Sequence, residues 1–538
     1  MKRFYNKLLI LSLATAFIAC STEDDLVDEW VEINEVEVEA PSPGSLDLSN
    51  YVAVGNSLTA GFYDGALFPS GQANSYPAIL AGQFARTGGG EFNNPNIISG
   101  ETGTGRISLD LAAALAFLTT GEGSLADALV TGAANGLTGN TLSVNNFGVP
   151  GARAVDIGFA GYGSLNGFFG SFQSDPTTSV VADAAAANGS FFSLWIGNND
   201  VLGYARAGGV SDTYDFADPS SITDSPINPL APAAPVFTQA VTDALGALSA
   251  GGANGVLLTI PPVTTAPYFQ AVTDLGGGAE NLLPAGSIDA ATATALNTAY
   301  GAYNGGLDAL VAAGAVTEAE ANRRKISFTA DVPNSPVITD ESLTDLSAFG
   351  LSSWRQASAA NPLAGLGDIF PLDALFVLGV AQDEAGAVVP GITVPLDDQY
   401  TLTESEQINI ITAVATYNGV LTALAGAFPN VTLVDLDPLF ADVNGLTPEQ
   451  ATALGMSAAG VAAADGEFGT NVNGIDLIPI SFDPSLLFNS LFSTDFIHPN
   501  PRGAALIVNE IISVLNATYD SEIPFVNPLD YEAINAPL

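Results

Sequence analysis

YVAVGNSLTAGF, residues 51–62, joins a short apolar run to a segment with the pattern of a helix start. The apolar run ends at Gly55, and Asn56 and Ser57 follow at the turn. A strand that leads directly into a helix places the residues between them at the carboxyl edge of a parallel sheet, where α/β proteins bind ligands. Ser57 is therefore a candidate nucleophile, and the alternative is that it and Asn56 only cap the helix.

Four further apolar runs bounded by Gly, Pro or Asn follow along the chain, at residues 141–148, 190–197, 255–262 and 430–436. Continuous apolar runs are typical of parallel strands that are buried on both faces. Stretches with a helical pattern lie between or after these runs, at residues 75–85, 237–250, 404–428 and 503–519. The alternation predicts an α/β fold with a doubly wound, flavodoxin-like parallel sheet of about five strands and helices on both faces.

The spacing of the predicted strands is uneven. The stretch between the fourth and fifth runs is far longer than a crossover needs. We therefore predict one domain over residues 49–538, with large insertions near residues 90–140 and 265–400. The second insertion is interpreted as a cap over the carboxyl ends of the strands.

The N-terminal segment carries a targeting pattern. Three basic residues precede the apolar run LLILSLATAFIA, which is too short to span a bilayer and predicts a signal peptide over residues 1–19. Cys20, the only cysteine of the chain, follows directly. The segment resembles a bacterial lipoprotein signal, and this resemblance implies that Cys20 is lipidated. The alternative is an ordinary signal peptide followed by a chance cysteine.

The stretch after Cys20 is acidic and leads into a Pro/Gly cluster at residues 41–44, which predicts a solvated tether over residues 20–48. In some bacterial lipoproteins a similar acidic patch after the cysteine accompanies export to the cell surface. The resemblance therefore implies a lipid-anchored outer-membrane protein at the cell surface, with the periplasmic face as the alternative location.

Charge excludes several partners. The chain has 12 Lys and Arg against 57 Asp and Glu, a net charge of −45. Nucleic acid and anionic headgroups are repelled by such a chain, so we expect no nucleic-acid partner and membrane contact only through the anchor at Cys20. The acidity either suits a saline habitat, where salt screens self-repulsion, or only keeps the chain soluble. The oligomeric state is not predicted.

The catalytic motifs that are missing narrow the chemistry. A single His and a single Cys cannot build a Cys/His zinc site, and no phosphate-binding loop, dinucleotide fingerprint or G-x-S-x-G elbow is present. No metal and no organic cofactor are predicted. Imidazole chemistry at neutral pH has to use His498, and Asp495, three residues earlier, could orient its ring as the carboxylate of an acyl-transfer triad does.

Two more residues follow predicted strands. Gly151 offers a bare backbone N–H that a ligand could approach closely, and Asn199 has an amide that could donate to a developing negative charge. Each alone is an ordinary turn residue. Together with Ser57 and His498, they are expected at the carboxyl edge of the sheet.

Four short motifs, in this order along the chain, resemble the blocks of the SGNH hydrolase superfamily, also called GDSL-type esterases and lipases: GNSLTAG (55–61), Gly151 in GVPGA, GNND (197–200) and DFIH (495–498). The resemblance implies Ser57 as nucleophile, His498 as general base and Asp495 as its orienting partner.

The same resemblance implies an oxyanion hole formed by the backbone N–H groups of Ser57 and Gly151 and the side chain of Asn199. One position departs from the family pattern, because Asn56 stands where the family has Asp. The local hydrogen bonding beside the nucleophile is therefore open.

The expected function is hydrolysis of carboxylic esters, either acetyl esters of carbohydrates or short to medium acyl esters, at the cell surface. The alternative is a weakly active or inactive surface-binding lipoprotein on an SGNH-like scaffold, with Asn56 as the sign of lost activity. A glycosidase that uses two of the many carboxylates is a third reading, but no paired spacing singles any of them out.

Overall fold

The computed structural model of the chain describes residues 40–113, 125–209, 234–276, 279–358, 367–383, 386–467, 469–480 and 486–536. The predicted signal peptide, Cys20 and most of the predicted tether lie outside the described residues. Lipidation of Cys20 therefore stays a prediction.

Five parallel strands form the central sheet: β1 (Tyr51–Gly55), β2 (Asn146–Gly148), β3 (Phe191–Trp195), β4 (Asn254–Leu258) and β5 (Val431–Val434). Their order across the sheet is β2, β1, β3, β4, β5, and all neighbours pair in parallel. This is the flavodoxin-like order, so the predicted fold class is confirmed.

Eight helices surround this sheet: α1 (Ser57–Ala60), α2 (Tyr76–Arg86), α3 (Val180–Ala186), α4 (Asn198–Arg206), α5 (Ala234–Ser249), α6 (Glu404–Ala427), α7 (Asp437–Val443) and α8 (Pro501–Tyr519). Alternate strand residues point to opposite faces. Tyr51 and Ala53 lie in one apolar cluster with α2 and α8, whereas Val52 and Val54 lie in another with α3, α5 and α6. Both faces are buried, which explains the continuous apolar runs of the sequence.

Helix α6 has an unusual composition for a surface helix. Among the described residues it is the one helix long and apolar enough to cross a membrane by length and composition. It buries Ile410, Val414 and Leu421 in the cluster under the sheet, and the ring of Tyr417 stacks on Phe237 of α5 at 4.3 Å. These contacts make α6 part of the layer that covers the sheet.

Ahead of α6, the stretch between β4 and β5 forms a layer with its own apolar cluster, which includes Leu296, Leu307 and Phe328, whereas its first helix packs into the main cluster through Tyr268 and Phe269. Its regular elements are the helices Pro267–Gly276, Ala290–Ala299, Gly301–Ala312 and Glu318–Arg324 and the antiparallel strands Val337–Thr339 and Trp354–Gln356. These elements occupy the predicted insertion, whose role as a cap stays a prediction.

The remaining described elements are short. The helices are Pro69–Ala73, Ala154–Ile157, Gly167–Gly170, Pro448–Ala453 and Ala458–Ala463. Two antiparallel ribbons pair Ile107–Leu109 with Leu129–Thr131 and Thr470–Val472 with Ile475–Leu477.

Candidate active site

Ser57 lies where β1 turns into α1. Asn56 caps the helix, because its side-chain oxygen accepts the N–H of Leu58 at 3.0 Å, and Ser57 is the first helical residue. Gly55 is required at the end of β1, since a Cβ there would collide with Thr59 and with the carbonyl of the neighbouring strand β3. Capping is thus the role of Asn56, and the hydroxyl of Ser57 is left for another partner.

That partner is His498, 441 residues further along the chain. Its Nε2 lies 2.9 Å from Ser57 Oγ, and its Nδ1 lies 2.9 Å from Asp495 Oδ2. The Asp495 side chain is 11% exposed and that of His498 is 13% exposed. The structure therefore brings the three side chains singled out in the sequence into one hydrogen-bonded row.

Asp495 accepts hydrogen bonds from several directions. Its Oδ1 accepts from the Ser493 hydroxyl and from the backbone N–H groups of Ile497 and His498, and its Oδ2 accepts from the N–H of Gly65. Burial alone would raise the pKa of Asp495. The charge of His498 and the hydrogen bonds outweigh burial and hold the pKa well below its usual range, so the carboxylate stays ionised.

The loop between Asp495 and His498 has a strained backbone. Phe496 has a φ of +64°, in the left-handed region that is unfavourable for a bulky residue. Its ring is fully buried, and its carbonyl accepts the N–H of Tyr268 at 2.9 Å. Because Tyr268 belongs to the helix Pro267–Gly276, the layer between β4 and β5 supports the loop that carries the histidine.

The two remaining predicted residues lie at the same edge of the sheet. The N–H of Val149 donates to the carbonyl of Gly55 at 3.0 Å, which sets the end of β2 beside the end of β1. Gly151 follows with a φ of +82°, a conformation that favours glycine, and a Cβ there would meet open space. Asn199, in the first turn of α4, donates its Nδ2 to the carbonyl of Ala152 at 2.9 Å, directly beside Gly151.

Two hydrogen bonds of this site were not predicted from the sequence, although Asp200 and Asn56, which make them, belong to the quoted motifs. Asp200 accepts the N–H of Ala154 at 2.9 Å and fixes the turn after Gly151, and burial raises its pKa to about 7. Asn56 donates its Nδ2 to Asn198 Oδ1 at 3.2 Å. Asn56, which stands where the family has Asp, thus has the side-chain amide of Asn198 as a hydrogen-bond partner.

A cavity that is partly open to solvent adjoins the hydrogen-bonded row. Ser57, Asn199 and His498 line it together with apolar side chains such as Trp195 and Leu202. Ser57, His498 and Asn199 therefore face one common space in which an ester could lie.

A separate group of carboxylates has a geometry that could surround a cation. Glu341, Asp398 and Glu406 place oxygen atoms within 4.8 Å of one another. None of the three lines the cavity beside Ser57. The sequence-based expectation of no metal and no cofactor stays a prediction.

A doubly wound sheet with a serine, a histidine and a carboxylate in hydrogen-bond contact is typical of serine hydrolases. The sequence model of the GDSL-like lipase/acylhydrolase family matches residues 51–345, more than half of the chain. The chain therefore belongs to this family, and membership supports hydrolytic activity on esters. The predicted relationship to the SGNH/GDSL group is confirmed.

The matched segment contains Ser57, Gly151 and Asn199 and ends before Asp495 and His498. Searches among curated proteins and among solved structures find no match.

Proposed function

We propose that the protein is a serine esterase in which Ser57 is the nucleophile, His498 the general base and Asp495 the residue that orients the imidazole. The observation that carries the proposal is the row of two hydrogen bonds, each 2.9 Å long, from Ser57 Oγ through the imidazole to the carboxylate. Distances of this size are within the reach that proton transfer by a general base needs.

In the first half-reaction, Ser57 Oγ attacks the ester carbonyl while His498 Nε2 takes the hydroxyl proton. The ionised Asp495 stabilises the imidazolium that forms and keeps Nδ1–H directed at Oδ2. His498 then gives the proton to the leaving alcohol. An acyl group remains on Ser57 Oγ, and a water molecule activated by His498 releases it as the acid.

The negative oxygen of the tetrahedral intermediate needs donors. The N–H of Ser57 has no intrahelical acceptor because Ser57 is the first residue of α1. We assign this N–H, the N–H of Gly151 and the Asn199 amide to the oxyanion hole. Asn199 uses one amide proton for the carbonyl of Ala152, which fixes the side chain and leaves the second proton for the oxyanion.

The proposed substrates are carboxylic esters, either acetyl esters of carbohydrates or short to medium acyl esters. Negative charge on the protein disfavours acidic substrates. The proposed location is the outer membrane, with the protein anchored by a lipid at Cys20 and facing the cell surface.

Labelling with a fluorophosphonate tests the catalytic assignment, because this probe reacts with an activated serine. The wild-type protein should label, and Ser57→Ala and His498→Gln should not. Ser347→Ala, which removes an exposed hydroxyl from the layer between β4 and β5, is the matched control and should label like the wild type. A folded wild-type protein that does not label contradicts the esterase proposal and supports a binding protein on the same scaffold.

The anchor is tested in cells. Metabolic labelling with a radioactive fatty acid should mark the wild-type protein, and Cys20→Ser should lose both the label and the association with the outer-membrane fraction. Accessibility of the wild-type protein to protease on intact cells distinguishes the cell surface from the periplasmic face. An unlabelled wild-type protein in the soluble fraction contradicts the anchor.

A further inference from the structure

The cavity beside Ser57 is apolar outside the hydrogen-bonding residues. Leu58, Trp195, Leu202, Val263 and Ile497 are among its lining residues. No Asp, Glu, Lys or Arg is among the described residues that line it, although the chain has 57 acidic residues. Such a lining stabilises buried methylene groups and offers few partners for sugar hydroxyls.

A second cavity, also partly open to solvent, lies next to the first. Leu439, Val443, Leu491, Leu506 and Ile507 are among its walls, so it is apolar as well. Three side chains line both cavities and so lie between them: Phe440, Phe492 and Pro499.

The two phenylalanines of this partition differ in how they are held. Phe492 is 5% exposed and pairs through a β-bridge with Pro499, the residue after His498, so it belongs to the loop that carries the base. Phe440 projects from α7, is only partly buried and packs against the apolar cluster that contains Phe492. Phe440 can therefore be changed without altering the histidine loop itself.

From these observations we infer that the cavity beside Ser57 holds the acyl chain of a medium-length fatty ester, and that Phe440 and Phe492 limit its length by closing the way to the second cavity. This inference depends on the proposed esterase function and names its substrate class. An acetyl group would leave most of the apolar wall in contact with water. Each methylene that the wall covers is worth about fourfold in kcat/KM.

A series of p-nitrophenyl esters from acetate through butyrate and octanoate to palmitate tests the inference on the wild-type protein. We expect kcat/KM to rise from acetate to octanoate and to fall for palmitate. Phe440→Ala should raise the palmitate-to-octanoate ratio by about tenfold or more, since opening the partition lets several further methylenes enter. Phe525→Ala, which removes an exposed ring that lines neither cavity, should leave the ratio unchanged.

Fluorophosphonate titration of each variant gives the concentration of active sites and separates a changed cavity from a misfolded protein. If Phe440→Ala does not label, Phe440→Leu takes its place, with a smaller shift expected. A protein that labels but hydrolyses acetate best overturns the acyl-chain inference and leaves the esterase proposal intact. A labelled Phe440 variant with an unchanged chain-length profile overturns the role of the partition. Absence of both labelling and hydrolysis overturns the esterase proposal itself.

Discussion

The pKa of Asp495 in the candidate site and the pKa values of Asp398 and Glu406 outside it are shifted in opposite directions. Asp495 accepts hydrogen bonds from a hydroxyl, three backbone N–H groups and the imidazole, and its pKa is lowered. Glu341, Asp398 and Glu406 face one another, and only Glu406 of the three is buried. Burial, a hydrogen bond to Glu341 and neighbouring carboxylates raise the pKa of Asp398, and burial raises that of Glu406 to about 7.

Burial acts in the same direction on both groups, so the charge of the neighbouring side chains, together with the hydrogen bonds, decides the direction of the shift. Asp340 supports this conclusion, because it is fully buried and adjacent in sequence to Glu341, yet its pKa is lowered. Burial again acts to raise it, but the guanidinium of Arg355 outweighs that effect. The comparison predicts which carboxylates the protein needs in ionised form and which it tolerates as neutral groups.

The largest effect is expected for Asp495→Asn. The amide cannot hold the imidazole in the tautomer that takes the Ser57 proton, so kcat should fall by about 10⁴-fold. The measurement is steady-state hydrolysis of a p-nitrophenyl ester, with circular dichroism to show that the fold is retained.

Asp200→Asn is the matched control for that change. Asp200 is also a buried carboxylate at the candidate site, but its pKa is raised to about 7 and its one assigned role is to accept the N–H of Ala154. Asn keeps an acceptor, so we expect less than tenfold loss of kcat/KM. Equal losses in the two variants would contradict the view that ionisation of Asp495 is the property required.

The second largest effect is expected for Arg355→Gln, which should lower the free energy of unfolding. Its guanidinium contacts Asp340 at 2.5 Å and Asp368 at 2.5 and 2.7 Å, and its side chain is 4% exposed. Removing one member of a buried ion cluster leaves uncompensated charge and costs about 3–5 kcal/mol. The free energy of unfolding from urea titration measures this loss.

Arg323→Gln provides the comparison, because Arg323 contacts the same Asp340 oxygen from a side chain that is 43% exposed. Solvent screening should limit its cost to about 0–1 kcal/mol. Similar losses for both arginines would show that the buried position of Arg355 is not what matters.

The framework of the fold could be predicted from the sequence because the five strands are rich in apolar residues, and β1, β2 and β3 are buried at every position. The prediction is least accurate for β2, because only Asn146–Gly148 of the run predicted over residues 141–148 form a strand. There Asn145 bonds with its side chain to Asn50 and to the carbonyl of Tyr51, which a pattern of apolar residues does not show.

From the sequence one could predict those residues of the candidate site that belong to short motifs. Ser57, His498 and Asp495 were named from short local patterns, and the structure places them in contact. The residues that support them, such as Gly65 and Tyr268, come from distant segments and are connected to the histidine loop through backbone groups. A backbone donor has no residue-type signal, so the sequence could not reveal these contacts.

Ser493→Ala tests how much a single hydrogen-bond donor to Asp495 contributes. The Ser493 hydroxyl donates to Asp495 Oδ1 and accepts the N–H of Asp64, both at 3.0 Å. Its loss removes one donor among several, so kcat/KM should fall by about tenfold. Thr494→Val is the control, since the neighbouring Thr494 hydroxyl donates to Asp64 instead of Asp495. This control should lower thermal stability with a smaller effect on kcat/KM, and the reverse order would contradict a positioning role for Ser493.

The smallest effect concerns the pH dependence of stability in Glu406→Gln. The folded protein holds a proton on Glu406 more tightly than the unfolded chain does, so its contribution to stability is complete below the ordinary pKa of 4.5 and is lost as the pH rises through about 7. Gln is neutral at every pH and keeps an oxygen for the N–H and hydroxyl of Thr403. Between pH 5 and pH 8 the Tm of the wild type should therefore fall by ~2 °C more than that of the variant. Asp289→Asn is the control, because hydrogen bonds from Thr292 lower the pKa of Asp289 and its contribution is lost only as the pH falls below the ordinary pKa of 3.8, so its Tm curve should parallel that of the wild type between pH 5 and pH 8. Parallel Tm curves for Glu406→Gln and the wild type would mean that the carboxylate group is ionised in the folded protein, as Asp495 is.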